Sequence, residues 1–278
     1  MPLKLFYITN DPKVALIAEK HGVDRIWVDL ETLGKAERQP GNSVKSDHQI
    51  NDIKVIKPLL THSEMLVRVQ PWNENSEEEI NEVVSAGADV IMLPMWKTVE
   101  EAGSFLTAVN HRAKTSLLLE TREAVECIDD VLKLHPDEIH IGLNDLHLSY
   151  NMIFMFEPLA NGCVDALCKK IGDAGIPYGF GGIASIGKGM LKSDMVIMEH
   201  YRLDSTRAIL SRSFCNVQEQ TNLEEIDRLF DVGMKELRNY EKICANATEK
   251  QYRENQLATA KKIAEIVKAI REKRKNGA

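Results

Sequence analysis

Two carboxylates stand at the ends of two consecutive apolar runs. Glu120 closes Ser116-Leu117-Leu118-Leu119-Glu120-Thr121. The stretch Ile139-His140-Ile141-Gly142-Leu143-Asn144-Asp145-Leu146 reads as a second short buried strand entering a tight turn that carries Asp145. Neighbouring parallel strands that each end in an acid put two hard oxygen ligands side by side. A divalent metal ion takes such donors together with waters and a bidentate substrate. A plainer role is open to the same residues: Glu120 favouring the N-terminus of a following helix, and Asn144-Asp145 serving as turn residues.

Other residues could share that chemistry. Arg68 is embedded in the apolar run Met65-Leu66-Val67-Arg68-Val69. A buried guanidinium needs partners, either a structural carboxylate such as Glu31 or Glu120, or a substrate carboxylate held bidentately. Asp29 and Glu31 lie two apart in Trp27-Val28-Asp29-Leu30-Glu31 and share one face of a strand. They could hold metal-bound water or take a proton, or be satisfied by loop amides and Arg68. Gly181 and Gly182 belong to Tyr178-Gly179-Phe180-Gly181-Gly182-Ile183, a glycine-rich stretch where barrels often cradle a phosphate, although close packing would also explain it. Residues 182–188 approach a phosphate-binding GxxxxGK loop but are followed by Gly189 where Ser or Thr should stand, which argues against one. His200, Ser211 and Arg212 are expected at the same mouth, with His200 a candidate for proton transfer.

The elements that must position these residues follow from periodicity. Apolar strand-like runs fall at residues 3–9, 25–31, 64–70, 90–95, 116–120, 138–141, 178–183 and 207–214. Amphipathic helices are predicted between them: one opened by Asp11-Pro12 and stopped by Gly22, one capped by Ser46 or Asp47, and others over 76–87, 98–112, 122–134 and 158–174. Eight strands alternating with helices predict an α/β fold, a (β/α)8 barrel over residues 1–221, with a doubly wound sheet as the alternative. Residues 222–278 change character to two long helices, a solvated extension or an arm for a neighbouring subunit.

Composition narrows the class. A net charge of −7 argues against sequence-independent nucleic-acid binding. Five cysteines without a CxxC pair fit reduced thiols, no apolar run reaches membrane-spanning length, and no secretory leader is visible, so a cytoplasmic setting is expected.

In Val28-Asp29-Leu30-Glu31, Val67-Arg68, Gly87-Ala88-Asp89-Val90-Ile91-Met92-Leu93-Pro94, Leu119-Glu120-Thr121 and Ile141-Gly142-Leu143-Asn144-Asp145-Leu146, in that order, the chain resembles the HpcH/HpaI aldolase and citrate lyase β-subunit family of phosphoenolpyruvate/pyruvate barrels. The pairing of Asp29-Leu30-Glu31-Thr32-Leu33-Gly34-Lys35 with Gly142-Leu143-Asn144-Asp145-Leu146-His147 resembles a subgroup associated with surface-polysaccharide gene clusters.

The resemblance implies Glu120 and Asp145 as Mg2+ or Mn2+ ligands, Arg68 as the contact to a bound keto acid, and Glu31 beside the metal waters. It implies the Asn144 and Asp145 amides as donors to the substrate carboxylate. It also implies a lyase acting on a 2-keto acid and an aldehyde, and a homo-oligomer, trimer or hexamer. Two positions depart from the aldolase pattern: Thr32 stands where an assisting His is usual, and Ser85 where its acidic partner is usual. Thr32 also fails the citrate-lyase pattern, which has Asp there. The proton-transfer group is therefore open between Glu31, His200 and a metal-bound hydroxide. Two rivals remain, a CoA-ester lyase and a barrel that has lost catalysis and serves as a scaffold.

Overall fold

A computed structural model describes residues 1–35, 47–217 and 219–275. Eight strands close into a parallel barrel in chain order: β1 (Lys4–Ile8), β2 (Arg25–Asp29), β3 (Glu64–Arg68), β4 (Val90–Leu93), β5 (Lys114–Leu119), β6 (Glu138–Ile141), β7 (Tyr178–Ile183) and β8 (Arg207–Leu210). The expected (β/α)8 architecture is the one found.

The helices are α1 (Pro12–Lys20), α2 (Ile50–Ile56), α3 (Ser76–Ala86), α4 (Val99–Val109), α5 (Arg122–Glu126), α6 (Ile128–Val131), α7 (Leu143–Ser149), α8 (Glu157–Ala160), α9 (Cys163–Asp173), α10 (Ser193–Arg202), α11 (Leu223–Ala245) and α12 (Glu249–Lys275). Asp11 caps α1, accepting from the Lys13 and Val14 amides, with Pro12 in the first turn. Gly87 ends α3 in the left-handed conformation.

Three local expectations are corrected. The helix expected to start at Ser46 or Asp47 begins at Ile50, where the Gln49 N–H donates to Asp52; Ser46 itself lies outside the described residues. Asn144 and Asp145 stand in the first turn of α7, not in an isolated turn. The segment between the seventh and eighth strands contains α10, which the sequence pattern did not reveal.

Side chains alternate along each strand, so every second residue faces the barrel axis. On β2 these are Arg25, Trp27 and Asp29; on β3, Glu64, Leu66 and Arg68; on β6, Glu138 and His140, with Gly142 just beyond the strand. Each series runs from charge, through an apolar or aromatic middle, to a polar top or a bare glycine. The floor is a buried network in which Arg25 donates to Glu64 and Glu138, and Arg207 also donates to Glu138. The middle is a small interior cluster of Phe6, Trp27, Leu66, Val90, Met92 and Leu118. The larger core lies between barrel and helices. The top, at the C-terminal ends of the strands, is where (β/α)8 enzymes hold their sites.

The last two helices lie against the chain's own barrel: α11 packs on α1 and α10, and α12 on α8 and α10. Buried Glu241 of α11 accepts the Leu3 N–H at 2.7 Å, tying the extension to the first strand. Among the described residues no helix is long and apolar enough to cross a membrane.

Candidate active site

A pocket of about 830 Å3 opens at the C-terminal end of the barrel and collects most of the expected residues: Glu31, Arg68, Glu120, Asn144, Asp145, Gly181 and Gly182. Ser211 and Arg212 line it as well.

Arg68 is the anchor of one wall. The β2–β3 register sets Asp29 directly across from it. Its Nε and Nη2 each donate to an Asp29 oxygen at 2.8 Å, and Nη2 also meets Glu31 Oε2 at 3.1 Å. The structural partner is thus Asp29 first, with Glu31 second. Among the described residues Nη1 has no hydrogen-bond partner and remains for a ligand. The guanidinium lies over the Trp27 ring, 5.1 Å from its centre. Lys35 reaches Asp29 at 2.8 Å from the loop after β2. Burial opposes ionisation of Asp29, yet Arg68 and Lys35 outweigh it and hold the carboxyl far below its usual range. The two acids expected on one strand face differ in place: Asp29 is the last residue of β2 and Glu31 lies two residues beyond the strand, yet both meet the arginine.

Glu120 is in a different state. It is 3% exposed, and its Oε1 accepts the Met95 N–H at 3.1 Å. Burial first, then the charge of Asp145, push its carboxyl well above the usual range, against the partial pull of Arg68. Gly142 makes room for it: a Cβ there would lie 2.7 Å from Glu120 Oε2. Glu120, costly to ionise where it is buried beside Asp145, is a group whose charge a divalent cation held between the two acids would relieve. Among the described residues no three His, Cys, Asp or Glu converge as a ligand set. Two carboxylates completed by water and a chelating substrate is an arrangement Mg2+ accepts, so the residues present fit the group.

The remaining expectations fare differently. Gly181 and Gly182 lie in β7, within the run expected as the seventh strand, and the β7–β8 register shifts between Gly179 and Gly182. Gly181 has a φ of +52° and a Leu143 methyl 2.8 Å from its would-be Cβ, so close packing and backbone conformation both require glycine. His200 does not reach the pocket. It sits on α10, fully buried, its ring stacked on Phe180 at 3.9 Å and its Nδ1 on the Ser205 hydroxyl at 2.7 Å. Phe180 belongs to the core outside the barrel, so β7 separates His200 from the acids. Burial keeps its imidazole down at about 3.

Two histidines that sequence reasoning passed over do line the pocket: His48 and His140. The Asp29 N–H donates to His48 Nδ1 at 3.0 Å. Burial holds this ring below the ordinary imidazole range despite Asp29 and Asp52. His48 is therefore neutral, with its proton on Nε2. No sequence signal marked it. His140 had one: it alternates with Glu138 on a face where apolar residues were due.

Comparison with known proteins decides the family. The HpcH/HpaI aldolase/citrate lyase model matches residues 3–152. The chain belongs to the HpcH/HpaI aldolase/citrate lyase family. Members of this family are generally dependent on a divalent metal, in keeping with the Glu120–Asp145 pair. No curated protein matches the chain in sequence. Among solved structures, the HpcH/HpaI aldolase from Desulfitobacterium hafniense DCB-2 superposes with a TM-score of 0.60 at 15% identity, covering 76% of this chain and 86% of that one. Citrate synthase SbnG superposes with a TM-score of 0.60 at 16% identity, covering 82% and 94%. At these identities the likeness establishes the barrel, and the chemistry rests on the site.

Proposed function

We propose that the chain is a divalent-metal-dependent aldolase-type lyase that makes or breaks a C–C bond next to a 2-keto acid, with pyruvate as the keto acid. The observation that carries this is Glu120, buried and costly to ionise beside Asp145, near an arginine whose Nη1 has no hydrogen-bond partner among the described residues. When bound between the acids, Mg2+ or Mn2+ would supply Lewis-acid stabilisation of the enolate released as the bond breaks.

The chain's own residues do the rest. Arg68 Nη1 binds the keto-acid carboxylate while Asp29 and Glu31 fix the plane of the guanidinium. His48, neutral and held by the Asp29 amide, presents Nε2–H as a donor to a substrate oxygen. Trp27 shields the underside of Arg68 from water. A subunit assembly, trimer or hexamer, belongs to the same proposal.

The test is exchange of the pyruvate methyl protons with solvent deuterium, followed by NMR with and without Mn2+. Metal-dependent exchange that disappears in Glu120→Gln and Asp145→Asn is expected. Exchange indifferent to Mn2+ or to both substitutions would end the proposal.

A further inference from the structure

Among the described residues, those other than glycine that take a positive φ are Met95, Asn110, His111, His135, Asn151 and Asp204. All but Met95 are Asn, Asp or His, which tolerate the left-handed region, and each lies within two residues of a helix end, an ordinary place for it. Met95 fits neither description. Its side chain crowds the backbone at a φ of +55°. No helix ends beside it: β4 stops at Leu93, and α4 starts only at Val99. A costly conformation of this kind persists only where its surroundings enforce it.

The surroundings grip the chain on both sides. Pro94, with its fixed φ, leads out of β4. Trp96 is 1% exposed, and its carbonyl accepts the Thr121 hydroxyl at 2.8 Å. Between them the Met95 N–H donates to Glu120 Oε1 at 3.1 Å, and among the described residues no other hydrogen bond reaches that carboxylate. Residues 95 and 96 thus clip onto residues 120 and 121. The other oxygen, Oε2, lies against Gly142, which leads into the helix that carries Asp145. The Met95 side chain is half-buried and does not line the pocket, so the site uses the backbone of this residue and not its thioether.

We propose that Met95 is a positioning residue: its left-handed backbone aims its N–H at Glu120 Oε1, stops the carboxylate from turning, and leaves Oε2 as the oxygen presented, with Asp145, to a divalent cation. The inference rests on the metal-dependent function proposed above. With β4 and Trp96 both held, a residue that refuses this φ must shift the peptide between them, and the N–H moves with it. Glu120 would then lose its one fixed contact. The conformation at position 95 is therefore what the site needs.

The test is a series at position 95, read by Mn2+ titration with electron paramagnetic resonance. Glycine and asparagine accept the left-handed region, and valine resists it most. Met95→Gly and Met95→Asn should keep Mn2+ affinity within about threefold, while Met95→Val should lose at least roughly tenfold, as loss of an outer contact to a ligand does. A side chain that served packing alone would give the reverse order, with valine tolerated and glycine and asparagine impaired. That reverse order, or equal affinity in all three, overturns the proposal. A second arm needs neither metal nor valine: NMR of the metal-free protein labelled with 15N-methionine. The Met95 amide proton should exchange slowly with solvent, and in Glu120→Ala, where its acceptor is gone, it should move upfield and exchange faster. An amide that exchanges fast from the start, or that Glu120→Ala leaves in place, overturns the proposal as well. This arm decides the matter if Met95→Val does not fold. If the unmodified chain binds no Mn2+, the proposed metal-dependent function fails separately, and the amide resonance still decides whether Met95 holds Glu120.

Discussion

Replacing Gly142 by alanine adds one methyl group at the place where β6 passes under Glu120. The backbone there has φ −82° and ψ 87°, with φ negative and open to alanine, so conformational strain is not the cost. The cost is contact: the new carbon would sit 2.7 Å from Glu120 Oε2, 2.9 Å from Glu120 Cβ and 3.2 Å from a Leu118 methyl. Non-bonded heavy atoms prefer about 3.5 Å or more, so the carboxylate must retreat by roughly 0.5–1 Å. That retreat also stretches its 3.1 Å bond from the Met95 N–H. Overpacking of this kind costs about 1–3 kcal/mol of stability. Displacing a ligand by such a distance should weaken Mn2+ binding by ~10–100-fold and reduce turnover comparably. Mn2+ titration followed by electron paramagnetic resonance reads the affinity, and urea unfolding in EDTA reads the stability. Gly103→Ala is the control, because its added carbon meets nothing closer than a leucine methyl at 3.8 Å. If Gly142→Ala binds Mn2+ as tightly as the unmodified chain, Glu120 is not the ligand that this close approach positions.

Three further outcomes are expected. Arg68→Met removes the bidentate partner of Asp29, and since Lys35 remains, urea unfolding should show a loss of about 3 kcal/mol, with oxalate affinity falling too; an unchanged midpoint would mean the ion pair contributes nothing. Asp29 and Glu138 are held below their ordinary range, and half-buried Glu64 is pushed down to about 2. Their contribution is therefore complete above about pH 4.5 and is lost as pH falls toward the folded values, so the melting temperature should drop between about pH 4.5 and 2, with Glu64 adding least; a flat profile there would contradict the buried networks. Glu120 has the opposite sign. Its raised carboxyl makes the metal-free protein less stable as pH rises above the ordinary carboxylate range, and a cation must displace its proton. Mn2+ affinity should rise with pH, and calorimetry in buffers of different ionisation heat should detect proton release; none would place the metal elsewhere.

Much of this protein was legible in one dimension. Strand periodicity is local, so eight runs and their alternation with helices predicted the barrel. Acids at strand ends marked Glu120 and Asp145, because polar groups inside apolar runs need a reason to be there. Arg68 announced itself the same way. The helix Ser193–Arg202 was missed because its glycine-rich approach and mixed composition carry a weak periodic signal. With it went the placement of His200, which the chain buries behind Phe180.

Sequence by itself determined which residue types face the axis: alternation fixes that once a strand is granted, so charge at the floor, apolar groups in the middle and acids at the top were written in the order of residues. Only the closed barrel decided who meets whom. Register between β2 and β3 gave Arg68 to Asp29 and left Glu120 with Asp145. The approach of β6 to β5 made Gly142 indispensable to Glu120. Leu223 and Ile226, beyond the barrel, became part of the pocket wall. The physical reason is that register and closure are set by hydrogen bonds and packing summed around the whole ring, and no local window of residues contains that sum.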